Sequence, residues 1–157
     1  MSIDQLDARL IALTSEEAGI SVVECARRLG IARATAQARL DRLRRSGVIS
    51  SSAPHIDPQA LGYSIRVSCS ILIQQSIGHT RVAERLSRIP ELIELHTVAG
   101  EADLMATIVA RSTKDLQRIL DRVSRTEGVS RSSSRLVLET HLRDRTLPLV
   151  DQAAAEG

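Results

Sequence analysis

The 157-residue chain is nearly devoid of aromatic residues: Tyr63 stands alone, without one Phe or Trp. Its core must be assembled from Leu, Ile, Val and Ala, which bury less surface per residue than aromatic side chains do. Split between two small domains, such a core is thin, because small domains bury a smaller share of their surface. Self-association is a common remedy, so composition alone points to an oligomer. Lysine is almost as scarce, with Lys114 the only one among 21 basic residues. No apolar run approaches the roughly 18 residues of a membrane span, and the N-terminus carries no signal-peptide pattern. A cytoplasmic protein with no membrane partner is expected. Cys25 and Cys69 match no metal-ligand spacing and lie in apolar periodic segments, where buried, reduced thiols are expected. The histidines, His55, His79, His96 and His141, share no such spacing either. No nucleophile–base pattern and no phosphate loop occurs, so no catalytic residue, metal ligand or cofactor is assigned.

What the chain does have is a local concentration of charge. The formal net charge is only +2. Yet residues 27–45 hold seven arginines against Asp41 alone, while the part beyond residue 53 is neutral. This is a positive patch on an otherwise balanced protein.

The patch sits in a helical pattern. Residues 4–17 place Leu6, Leu10, Ile11 and Leu13 on one helical face, with acidic residues near the start, where the helix dipole favours them. Gly19 ends that helix. Ser21 is a good N-cap, and Glu24 three residues later fits a capping box. The helix it opens carries Val22, Val23, Ala26 and Leu29 as its apolar side and stops at Gly30. A third helix begins near Ala32 and buries Ala36, Leu40 and Leu43 at i, i+4 and i+7. Two short helices joined at a glycine make a helix-turn-helix. "GVISSS" then reads as a turn into a short strand, a wing.

The serines and two prolines of residues 50–63 mark a hinge or linker strand. Beyond it the period changes to 2: Val67, Cys69, Ile71 and Ile73 share one face of a strand. A helix with Val82, Leu86 and Ile89 follows, then the strand-like "LIELHTV" and "DLMATIVA". A helix with Leu116, Ile119, Leu120 and Val123 comes next, and "SRLVLETH" closes the series. The order is β-α-β-β-α-β, a ferredoxin-like layout. The expected fold is therefore α+β, a winged helix-turn-helix domain over residues 1–49 and a ferredoxin-like domain over 64–145, with a C-terminal tail at 146–157.

On the third helix the residues not used for packing are Arg33, Ala34, Thr35, Gln37, Ala38, Arg39 and Arg42. Small residues at 34 and 38 let a helix approach a groove closely, and Arg or Gln there can bond base edges. Arg27, Arg28, Arg44 and Arg45, at helix ends and flanks, suit phosphates. A solvated charged face is the bland alternative, but such faces usually mix signs. Double-stranded DNA is the expected partner. Ala32 is a poor cap, a deficit of about 1 kcal/mol. In the second domain the turn "VAGEADL" is either a plain hairpin turn or a small-molecule site. Gly100 admits close backbone approach, and Asp103 can accept from an ammonium. Ser132–Ser134 are either ligand hydroxyls or a polar strand start.

The stretches "IDQLDARLIALTSEEAGIS", "ECARRLGIARATAQARLDRLRRSGVI", "IDPQALGY" and "VAGEADLMATIVA" together resemble the Lrp/AsnC (feast/famine) transcription regulators, to about residue 145. The resemblance implies a C-terminal effector domain of the kind called RAM, which builds homodimers into higher oligomers up to octamers. It implies a small effector, usually an amino acid, bound between dimers. By position Val98, Ala99, Gly100, Glu101, Ala102 and Asp103 match the effector loop. Ser130, Ser132 and Ser134 match places on the neighbouring chain that often carry hydroxyl or amide groups. Two features depart from the family: Ala32 replaces a usual Ser, and the aromatics that line some members' pockets are missing. The implied function is a sequence-specific, nucleoid-associated regulator whose DNA binding or assembly responds to an amino acid. Siroheme decarboxylases share the two-part layout without acting on DNA, and a weakly specific nucleoid-organising protein is the other alternative.

Overall fold

The computed structural model divides the chain into two compact units, Met1–Pro54 with Leu142–Gly157 and His55–His141. It describes residues 3–50 and 56–156. The first unit contains α1 (Gln5–Glu16), α2 (Val22–Leu29), α3 (Arg33–Arg45) and, returning from the C-terminal end, α6 (Leu147–Glu156). Leu10, Cys25, Ala26, Ala36 and Leu40 form its core cluster, with Ile20, Val22, Leu29, Ile31 and Ile49 packed around it. Val23, expected on the apolar side of α2, is instead 55% exposed. Cys25 and Ala26 take the inward positions, since an eight-residue helix has room for only one narrow stripe. The wing strand does not form over residues 47–50, where 47–49 run as turn and bend; residues 51 and 52 of that expectation lie outside the described residues. The expected tail is a helix packed on α1: Ala154 is buried, and Gln5 Nε2 donates to its carbonyl at 3.4 Å.

The second unit is a four-stranded antiparallel sheet with two helices. The strands are β1 (Ile65–Ile73), β2 (Leu92–Thr97), β3 (Leu104–Ala110) and β4 (Val129–Leu136), in the order β2-β3-β1-β4. The helices α4 (His79–Leu86) and α5 (Thr113–Ser124) bury Val82, Leu86, Ile119 and Val123 against Val67, Cys69, Ile71, Ile73, Leu104, Ala106 and Ile108. The two-residue alternation read from β1 is the one observed. Both cysteines are buried and unbonded to each other. The hinge, expected as a strand, is a 3-10 turn at Gln59–Leu61 over its described part, and Arg111 stacks on Tyr63 at 4.6 Å. The last strand runs earlier than "SRLVLETH": it begins at Val129 and takes in the serine run. A polar sequence is tolerated because β4 is an edge strand whose backbone bonds to β1 suffice to hold it.

Gly128, just before β4, is irreplaceable on two counts. Its φ of +96° disfavours any side chain, and a Cβ there would lie 2.6 Å from Val82 Cγ2. Gly128→Ala is expected to cost about 2 kcal/mol or more of stability. A urea titration of the variant checks this; an unchanged midpoint refutes the constraint.

Candidate nucleic-acid interface and effector loop

The sharp turn between α2 and α3 has a local cause. Gly30 adopts the left-handed conformation (φ 67°, ψ 34°), so its N–H returns to the Ala26 and Arg27 carbonyls and the chain reverses in two residues. Ser21 caps α2, its hydroxyl accepting from Glu24 N–H at 3.2 Å. The capping box is not completed, because the Glu24 carboxylate turns to Arg27 and Arg28 at 2.7 Å. These guanidinium groups pull its pKa down to about 2. Ala32 begins α3 with no side-chain cap, as its identity dictates. With Ala36, Leu40 and Leu43 inward, the face made by Arg33, Ala34, Thr35 and Ala38 is exposed. Ala34, Thr35 and Ala38 line a broad open hollow of 560 Å³, with Arg39 and Arg42 on one side and Asp4 of the α1 cap beside them.

The uniform positive patch expected from the sequence is largely neutralised within the fold. Arg39 donates to Asp4 at 2.6 Å and to Asp7 at 2.9 Å, and Arg42 also pairs with Asp7. Arg28 reaches Glu17 at 2.8 Å, Arg44 lies 3.6 Å from Asp41, and Gln37 donates to Asp41 at 2.9 Å. Arg33 and Arg45 alone among the seven have no ion-pair partner among the described residues. The expectation that Arg39 and Arg42 simply continue an exposed reading face is therefore corrected: they point back to α1, drawn by two carboxylates. Asp7 was not singled out from sequence, where it reads as an ordinary first-turn acid; it is fully buried.

The loop expected to take the effector, residues 98–103, joins β2 to β3. Val98 N–H donates to the Asp103 carbonyl at 3.1 Å, and Gly100 takes φ 127°, leaving its backbone open. Asp103, read as able to accept from an ammonium, braces its own chain. Its carboxylate accepts from Ile73 N–H and Gln75 Nε2, both at 2.9 Å, with His79 Nε2 at 3.6 Å. The Ile73 amide is the main cause of its lowered pKa. Glu101 and Ala102 line a 250 Å³ hollow with Arg131, Ser132, Ser133 and Arg135. The other serines go elsewhere: Ser134 donates to Cys69 Sγ at 3.5 Å, and Ser130 is exposed outside the hollow. The hydroxyl of Ser132 turns to the helix side of the sheet, its Oγ 3.0 Å from Ser124 Oγ of α5. Arg131 and Arg135 were missed, although the alternation of "SRSSSRL" puts them on the opposite face from Ser132 and Ser134.

Residues 67–147 match the sequence model of the Lrp/AsnC ligand binding domain, and residues 3–50 that of a winged helix-turn-helix DNA-binding domain. The HTH-type transcriptional regulator FL11 of Pyrococcus furiosus is 31% identical over 148 residues, 94% of this chain and 97% of its own length. This chain belongs to the Lrp/AsnC family. The fold agrees: AsnC of E. coli superposes with a TM-score of 0.86 at 19% identity, over 94% of this chain and 100% of its own. The feast or famine regulatory protein Rv3291c of M. tuberculosis, complexed with L-methionine, superposes with a TM-score of 0.79 at 27% identity. That match covers 90% of this chain and 96% of the other.

As an Lrp/AsnC protein the chain is a DNA-binding transcriptional regulator and not an enzyme. Among the described residues no group of three or more His, Cys, Asp or Glu is arranged to hold a metal, and no helix is long and apolar enough to cross a membrane. The brace at Asp103 is directly testable in this Lrp/AsnC chain. Asp103→Ala should speed hydrogen exchange at the Ile73 amide on the order of tenfold, by removing its acceptor. Exchange at wild-type rates would show that the loop is held by other means.

Proposed function

We propose that this Lrp/AsnC regulator reads specific DNA through the exposed face of α3 and that an amino acid bound at its effector loop modulates DNA binding or assembly. The observation that carries the reading is the small-floored hollow of Ala34, Thr35 and Ala38 on α3, with Arg33, the first residue of that helix, exposed and without an ion-pair partner among the described residues. Alanine side chains let the helix axis approach base edges, and a guanidinium at the start of α3 can bond guanine in two places. Gln37 lies next to this face and keeps acceptor capacity beyond its bond to Asp41. Arg45 at the far end of α3 suits phosphates, while Arg27 and Arg28 at the end of α2 reach them only by leaving Glu24 and Glu17. Arg39 and Arg42 take a second role, treated below.

For the effector, Val98, Ala99, Gly100, Glu101 and Ala102 offer open backbone and a carboxylate. Asp103 sets the loop's shape. On a neighbouring copy Ser130 offers an exposed hydroxyl, and Ser132 and Ser134 contribute only by leaving Ser124 and Cys69. The bound L-methionine of the M. tuberculosis relative supports an amino acid as the ligand class. The thin, aromatic-free core supports assembly into dimers and higher homo-oligomers. Paired α3 helices in a dimer would then meet successive major grooves about 34 Å apart.

The test is fluorescence anisotropy with a duplex from upstream of the protein's own gene and a random duplex, each with and without individual amino acids. Tight binding to the first, shifted by one amino acid, is expected; binding to neither duplex overturns the reading. In the same assay Arg33→Ala should cost about 1–3 kcal/mol on the preferred duplex. Arg45→Ala should weaken both duplexes alike and reduce the salt slope by about 0.9. Equal losses on both duplexes for Arg33→Ala would remove its base-reading role.

A further inference from the structure

Asp7 is the only charged side chain fully buried among the described residues. Its carboxylate is not loosely placed. A capping box at the start of α1 locks it: Asp4 Oδ1 accepts from Asp7 N–H at 2.8 Å, and Asp7 Oδ2 accepts from Asp4 N–H at 3.2 Å. This exchange leaves Asp4 Oδ2 and Asp7 Oδ1 for Arg39, at 2.6 and 2.9 Å, while Asp7 Oδ2 also meets Arg42. Two carboxylates thus hold two guanidinium groups, and the cluster carries no net charge. Both arginines remain partly exposed, Arg39 at 27% and Arg42 at 43%, on the rim of the hollow in front of α3.

An arginine on a DNA-facing helix draws any duplex, because each phosphate it neutralises releases a counterion whatever the sequence. A guanidinium already held by fixed carboxylates gains far less from phosphate, which must first displace them. We propose that Asp4 and Asp7 are specificity-determining residues that hold Arg39 and Arg42 neutralised at the DNA-reading face, suppressing sequence-independent binding. This rests on α3 being that face. Base reading then falls to the unclamped residues in front of the small-residue floor, where fit to the groove decides the outcome. Purely mechanical glue between α1 and α3 makes the opposite prediction: weakening it lowers DNA affinity, whereas releasing the clamp raises affinity for random DNA.

The discriminating variant is Asp4→Asn. Asparagine caps a helix as well as aspartate does, and the Asp4 side chain is half exposed, so the fold is kept while one negative charge is lost. The full chain, Asp4→Asn, Asp7→Asn and Arg45→Ala are titrated with a random-sequence duplex between about 50 and 200 mM salt. Circular dichroism melts verify folding. Asp4→Asn should bind the random duplex several-fold tighter at the lowest salt, with a slope steeper by about 0.9. Asp7→Asn should do the same where it folds. A folded Asp4→Asn with equal or weaker affinity and an unchanged slope overturns the clamp. Arg45→Ala separates the two failures. If it weakens binding while Asp4→Asn changes nothing, α3 remains the DNA-reading face and the clamp is wrong. If it leaves binding unchanged as well, the assignment of α3 itself has failed.

Discussion

The DNA-binding unit is organised around one carboxylate in an unfavourable place. Asp7 is taken wholly out of water, a step that costs several kcal/mol for an isolated ion. It is tolerated because two guanidinium groups and a backbone amide meet its oxygens. The partners come from α3, more than thirty residues along the chain, so satisfying Asp7 positions α1 against α3. Losing both arginines would strand a buried charge, with a penalty of about 3–5 kcal/mol. Electrostatics and helix placement are one constraint here, and the charge distribution along α3 follows from it. Five of the seven arginines in residues 27–45 have an acidic partner; among the described residues Arg33 and Arg45 have none.

The effector unit solves its problem differently. With no Phe or Trp, its core is made of interleaved aliphatic side chains from one sheet face and two helices, and close contacts matter more. Gly128 is where that shows, since not even a methyl group fits beside Val82. Precision of the loop at residues 98–103 comes from Asp103, which ties it to the end of β1 through a backbone amide. The loop is thus ordered by its own chain before anything binds to it.

Much of this was legible in the sequence because it depends on periodicity and on single-residue chemistry. Ala36, Leu40 and Leu43 announced α3; Val67, Cys69, Ile71 and Ile73 announced β1; Ser21 and Gly30 marked the ends of α2. The failures share a cause: each depended on partners distant in sequence. Asp7 looks like any acid in a first helical turn until Arg39 and Arg42 arrive. Glu24 fits a capping box by spacing, yet two arginines one turn away outbid the backbone amide. Asp103 reads as a plain turn carboxylate until Ile73 and Gln75 arrive as its partners. The serines of β4 read as ligand hydroxyls or a polar strand start, because only pairing with β1 shows that they lie inside the strand.

The C-terminal helix changes how the chain is put together. Since α6 packs on α1, the polypeptide leaves the first unit after α3, builds the whole second unit, and comes back. The effector domain is thus an insertion within the DNA-binding domain, joined to it by two covalent crossings. A single proteolytic cut in either crossing leaves the two domains connected through the other. Removing the last residues strips a packed partner from the domain at the opposite end of the sequence, so a C-terminal truncation is felt at the N-terminus.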